Sequence, residues 1–169
     1  RTEGGSTPGW PGATTENTGS YTTGSMSTAT GLALSMRETP QSVTVMTRQR
    51  MDDQGLVTLS DAIRATPGLV VNAFGSHENY HARGFAIGNI TYDGLPTSLN
   101  TSWYGAEVLL SDLAVYDRVE VVRGAAGLMS GAGNPSAAIN LVRKRPTRET
   151  QISLTSNAGS WNRYGLQAD

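Results

Sequence analysis

Ser42-Val43-Thr44-Val45-Met46 alternates polar and apolar residues with a period of two, the pattern of a half-buried strand. Upstream of it, residues 1 to 35 are dominated by Gly, Ser and Thr, with no apolar periodicity beyond Leu32-Ala33-Leu34, and read as a flexible segment. Downstream, Thr47 can cap a helix over Arg48 to Gln54 that Gly55 stops. Thr58 or Ser60 can cap a short helix through Asp61-Ala62-Ile63-Arg64, which Pro67-Gly68 ends. Strands are predicted at Leu69-Val70-Val71, at Tyr80 to Phe85 and at Ile90-Thr91-Tyr92, the last closed by Asp93-Gly94. The turn formers between Asn72 and Asn79 predict a loop.

In the second half, Thr97 to Gly105 (TSLNTSWYG) is polar, aromatic and aperiodic, the pattern of an exposed loop. Val108, Leu109, Leu113 and Val115 fall loosely at helical spacing, predicting a helix over Glu107 to Tyr116. Two strands rich in β-branched residues, Asp117 to Val122 and Ala137 to Val142, flank a glycine-rich stretch, GAAGLMSGAGNP. Beyond the joint Arg143-Lys144-Arg145-Pro146, Gln151 to Thr155 alternates again and Trp161 to Leu166 can pair with it, a hairpin that also suits a transmembrane barrel strand. The pattern is one of short elements, and the 20 Gly in the chain agree with many turns.

Bulk properties narrow the function classes. The 169 residues suit one domain of ordinary size. Thirteen Lys and Arg against 14 Asp and Glu leave a formal charge of −1, so no global field attracts nucleic acid. Absence of Cys removes disulfides, thiolate nucleophiles and cysteine zinc sites together. No apolar run is long enough for a membrane-spanning helix, and the N-terminus carries no signal-peptide pattern.

His77-Glu78-Asn79-Tyr80-His81 matches the H-E-x-x-H signature of zinc peptidases, which needs both His one turn apart on a stable helix, with the Glu activating a metal-bound water. Gly75 before it and Arg83-Gly84 after it argue against such a helix, and these are the only two His in the chain. A small zinc metallopeptidase is therefore the alternative reading. The glycine-rich stretch lacks the Lys-Ser or Lys-Thr of a phosphate-binding loop, Pro135 interrupts the helix that would follow, and no G-x-S-x-G elbow exposes a serine. No catalytic set and no metal site emerge. Trp103-Tyr104 in one loop, with Tyr80 and the two His in another, suit instead a flat polar ligand or a partner surface.

Four stretches carry a resemblance: RETPQSVTVMTRQRMDDQG (37 to 55), LSDAIRATPGLVV (59 to 71), the pair ARGF and YDGLP (82 to 85 and 92 to 96), and LSDLAVYDRVEVVRGAAGLMSGAGNPSAAINLVRKRPT (110 to 147). Residues 36 to 146 resemble the plug domain of TonB-dependent outer-membrane receptors, of the ferripyoverdine and pseudobactin, coprogen and ferrioxamine type. The resemblance implies an α+β fold, a small mixed β-sheet with short helices and long loops, held inside a 22-stranded β-barrel. It divides the chain into the N-terminal segment 1 to 35, a plug over 36 to 148, and the first part of the barrel over 149 to 169.

By the same resemblance the protein is no enzyme but gates the TonB-dependent import of a ferric siderophore of pyoverdine, pseudobactin or hydroxamate type. The iron is held by its chelator, so no cofactor is bound directly. Phe74 to Tyr80 and Ser98 to Tyr104 match the loops that floor the ligand pocket, which makes His77, Tyr80, Trp103 and Tyr104 ligand-facing. His77 stands where the ferripyoverdine type carries an arginine, so the particular siderophore stays open. Arg83 of ARGF and Arg123 of VRG match arginines that latch the plug to glutamates of its own barrel, and in the plug alone they would turn to solvent. TonB of the inner-membrane energy-transducing complex would pair with an N-terminal box that residues 1 to 35 do not reveal.

Overall fold

The computed structural model describes residues 14–26, 28–74, 77–96, 112–124, 135–146, 152, 154–160 and 163–168. In chain order the elements are β1 (Ser42–Thr47), α1 (Arg48–Asp53), α2 (Leu59–Arg64), β2 (Leu69–Phe74), β3 (His77–Ala82), β4 (Phe85–Ala86) and β5 (Asn89–Tyr92). They continue with β6 (Leu95–Pro96), β7 (Tyr116–Arg123), β8 (Ala137–Arg143), β9 (Leu154–Gly159) and β10 (Arg163–Ala168). A five-stranded sheet runs β1-β7-β8-β5-β6, with β5 parallel to β8 and the other pairs antiparallel. β2-β3-β4 form a second sheet, and β9 pairs with β10 in a third.

The helix starts follow the predicted caps. Thr47 accepts from the Arg50 amide at the head of α1, and Gly55 (φ 62°) leaves its far end in the left-handed region. Thr58, not Ser60, caps α2, in a capping box with Asp61. Ser60 therefore lies inside the helix with its hydroxyl free for another element.

The alternation of β7 gives the central sheet two different faces. Val119 and Val121 join Met46, Ile139, Leu141, Met51, Leu59 and Ile63 in the main core, under the helices. The opposite face presents Arg118, Glu120 and Val122 beside Val45 and Asn140, and residues 14 to 26 and 28 to 35 fold over it. Met26 and Ala29 supply that cover with its apolar contacts, in a small cluster with Val45 and Val122.

Polar bonds hold most of this cover. A bulge between Tyr116 and Arg118 leaves Asp117 out of the ladder with β8. Its buried carboxylate accepts from the Thr15 amide (2.8 Å), the Glu16 amide (2.7 Å) and the Thr14 hydroxyl (2.9 Å). Arg118 Nη1 donates to the same carboxylate (2.9 Å) and its Nε to Glu120 (2.7 Å). The Thr28 hydroxyl donates to Glu120 and accepts from Asn140 Nδ2, whose Oδ1 receives Thr91 and the Gly94 amide. Tyr92 and Tyr116 stack with centroids 6.1 Å apart, and burial pushes the Tyr92 phenol up to about 12.

Four expectations change. The Asn72 to Asn79 loop is mostly strand, because β2 runs on to Phe74 and β3 begins at His77. The strand expected over Tyr80 to Phe85 ends at Ala82, and Arg83-Gly84 form the turn into β4, both with positive φ. No helix covers residues 112 to 116: Asp112 accepts from the Ala114 amide (2.8 Å) in a side-chain turn, Leu113 and Tyr116 are buried, and Tyr116 opens β7. Residues 14 to 26 and 28 to 35, expected to be flexible, lie against the sheet, through side-chain bonds that leave no periodic signature. The loop over 97 to 105 and most of the glycine-rich stretch lie outside the described residues.

Asp117→Ala takes from Arg118 one of its two carboxylate partners and from two backbone amides their acceptor, and should lower stability by about 3–5 kcal/mol, read as a fall in the urea midpoint. Arg143→Ala removes a solvent-screened pair with Asp93 (2.6 Å) and should leave the midpoint in the same assay little changed.

Candidate functional site

The H-E-x-x-H stretch is β3, a strand paired along its whole length with β2 in the register Leu69↔Ala82, Val71↔Tyr80 and Phe74↔His77. Positions 77 and 81, one turn apart on a helix, are here about 13 Å apart along a strand, too far for one tetrahedral zinc. Among the described residues no three His, Asp or Glu side chains converge on a possible metal position. The zinc peptidase reading falls on this geometry.

Alternation sorts the strand into two faces. Glu78 and Tyr80 turn toward α2 and the main core, while Asn79 and His81 occupy the opposite face, to which position 77 also belongs. Glu78 meets α2: Arg64 Nη2 lies 2.7 Å from Oε1, and the Ser60 hydroxyl donates to Oε2. The Tyr80 hydroxyl lies 3.0 Å from the same Ser60 oxygen, and its ring packs against the core. Tyr80 is thus half-buried on the inner face, with its hydroxyl at Ser60. On the outer face Asn72 Nδ2 lies 3.3 Å from His81 Nδ1. Trp103 and Tyr104 lie outside the described residues.

The two arginines meet at the root of this hairpin. Arg83 holds a left-handed backbone (φ 54°), uncommon for a residue with a side chain, and is exposed. Its guanidinium crosses Gly124, where an added Cβ would stand 3.2 Å from Nη1. Gly124 itself has φ 103°. Arg123 is not turned to solvent as expected: Nε donates to Ser42 Oγ (3.1 Å), Nη1 donates to the Pro67 carbonyl (2.7 Å), and its stem passes Gly68. Arg123 and Gly124, successive residues at and just past the end of β7, thus bring both arginines to one strand end, and guanidinium groups suit carboxylate partners. The root and the far end of the hairpin are about 17 Å apart along β2.

Residues 35–138 match the TonB-dependent receptor plug domain family. The chain belongs to this family. It is 57% identical over 162 residues to the ferric-pyoverdine BN7/BN8 receptor of Pseudomonas putida, covering 94% of this chain and 19% of that protein. The ferripyoverdine receptor of Pseudomonas aeruginosa is 52% identical over 159 residues, covering 94% of this chain and 20% of that one. A crystal structure of the ferripyoverdine receptor of the P. aeruginosa outer membrane, bound to ferripyoverdine, superposes with a TM-score of 0.85 at 51% identity, over 92% of this chain and 21% of that chain. The chain therefore spans about a fifth of the length of the curated relatives it matches. The mixed sheets and two short helices are the α+β fold of the plug.

Sequence reasoning placed both arginines through the family likeness but missed what Ser60, Arg64 and Glu78 do together. A signal was present: Ser60 and Arg64 share one face of α2, as Glu78 and Tyr80 share one face of β3.

A strand cannot chelate as a helix does, so purified plug dialysed against a weak chelator should hold far less than one equivalent of zinc by atomic emission. His77→Ala and His81→Ala should leave that content unchanged.

Proposed function

We propose that this plug belongs to an outer-membrane receptor that binds a ferric siderophore and gates its TonB-dependent active import. The observation that carries the reading is identity above 50% along 94% of the chain to receptors of ferric pyoverdines. The ligand class is a ferric pyoverdine or pseudobactin, with ferric hydroxamates next, and the chelator rather than the protein holds the iron. Such a chelate needs hydrogen-bond donors and aromatic faces from its receptor, not metal ligands.

In this reading His77 at the far end of the hairpin, with Trp103 and Tyr104, faces the siderophore. Arg83 and Arg123 latch the plug to glutamates on the inner barrel wall. Residues 36 to 148 form the plug and 149 to 169 begin the barrel. In the β9-β10 hairpin Leu154, Ala158, Tyr164 and Leu166 share one face by register and are all exposed, as a lipid-facing wall requires. The N-terminal segment would hand the plug to TonB of the inner-membrane complex by strand addition.

In the receptor that contains this plug, His77→Ala and Tyr104→Ala should each weaken ferric pyoverdine binding by at least about fivefold in a tryptophan-quenching titration. Loss of TonB should abolish uptake of radioactive iron by cells while leaving that affinity unchanged. Equal affinity in both variants would remove the assigned contacts.

A further inference from the structure

On a strand, Glu78 is no general base for a metal-bound water, yet both of its carboxylate oxygens are engaged by α2. Arg64 takes Oε1 at 2.7 Å and Ser60 takes Oε2. The two donors lie one helical turn apart on a helix that is itself fixed, since Leu59 and Ile63 are 0% and 1% exposed in the main core. Tyr80 adds its hydroxyl to the same Ser60 oxygen.

The hairpin needs this support. β4 pairs with β3 only at His81↔Ala86 and Ala82↔Phe85, next to the root. From His77 to Asn79, β2 is the one ladder partner of β3 among the described residues, while the Tyr80 carbonyl also accepts from the Ile87 amide (2.7 Å), and β2 is the edge of its sheet. A bare two-stranded ribbon is marginal in water. Two of its side chains, Glu78 and Tyr80, tie this outer half to a helix in the core. An exposed Arg-Glu pair alone contributes little, but here it shares one carboxylate with a hydroxyl that is largely buried.

We propose that Glu78 is a positioning residue for ligand binding: by joining β3 to Ser60 and Arg64 of α2, it fixes the height and tilt of the hairpin end from which His77 meets the siderophore. This rests on the ferric-siderophore reading for its ligand, though not for the brace. The contact is worth full affinity only if its geometry is held in advance.

The test uses the whole receptor in detergent with ferric pyoverdine and ferrioxamine B as probes, together with amide hydrogen exchange at Asn79 and Tyr80. Glu78→Gln should weaken binding of the better probe roughly tenfold, mainly through faster dissociation, and should speed exchange at both amides. Exchange in β7 and β8 should stay unchanged. The swap Arg64→Glu with Glu78→Arg should restore affinity to within about threefold of wild type, a rescue that general destabilisation does not give. If Glu78→Gln does not fold, Arg64→Met, which keeps the Ser60 bond, should change both readouts in the same direction. Wild-type affinity with unchanged exchange in the variants that fold overturns the proposal, as does weakened binding without faster exchange. If wild-type receptor binds neither probe, the ligand reading fails, and exchange alone then decides the brace: faster exchange at Asn79 and Tyr80 supports it, equal exchange overturns it.

Discussion

The buried carboxylate of Asp117 is the contact on which the rest of the plug depends. Burying Arg118 and Glu120 under a strand face costs several kcal/mol per ion unless each charge is paired and its remaining hydrogen bonds are met. The bulge supplies Asp117 as the second partner of Arg118, and the same carboxylate collects the amides of Thr15 and Glu16. Thr28 then fits between Glu120 and Asn140. Polar residues that look like linker thereby become the third layer of the domain. With one sheet face closed in this way, the other is left to pack α1, α2 and the hairpin.

A chain of fixed elements runs from that core to the site. Val119 and Val121, on the reverse of the charged face of β7, hold the main core in which α2 is seated. α2 holds Glu78, and Glu78 holds the outer part of the hairpin. At its root, β7 ends in Arg123 and Gly124, over which Arg83 lies. The same strand thus supports both ends of the functional surface, which are separated by the length of β2.

Elements whose residues carry their own signal were legible in the sequence. β1 follows from alternation, β7 and β8 from their β-branched content, and α1 and α2 from Thr47 and from Thr58 or Ser60 as caps. The stretch from Asn72 to Asn79 was read as a loop because Asn72 and Asn79 on the open face are as polar as turn residues, and period-two contrast needs one apolar face in each strand. The N-terminal cover was illegible for another reason. Thr15 and Asp117 are 102 positions apart, and a hydroxyl or amide that satisfies a distant charge leaves no local pattern. By alternation alone, the charges of β7 would belong on a wet face. Arg83 and Arg123 came from family likeness. The bond of Tyr80 to Ser60 was illegible because an aromatic with a polar tip looks alike whether its hydroxyl meets a ligand or another side chain.

The letters H-E-x-x-H carry zinc chemistry only through the helix that puts both His on one side within reach of one ion. On β3 the same letters give an inward Glu that braces and an outward face that can meet a ligand. The absence of Cys gives this chain a clean background for testing that orientation. The decisive measurement is labelling of a single cysteine at position 77, in the receptor on intact cells, with a membrane-impermeant maleimide, with and without ferric pyoverdine. The account predicts labelling from outside the cell that saturating siderophore suppresses. Labelling that requires permeabilised cells, or that siderophore leaves unchanged, would contradict it.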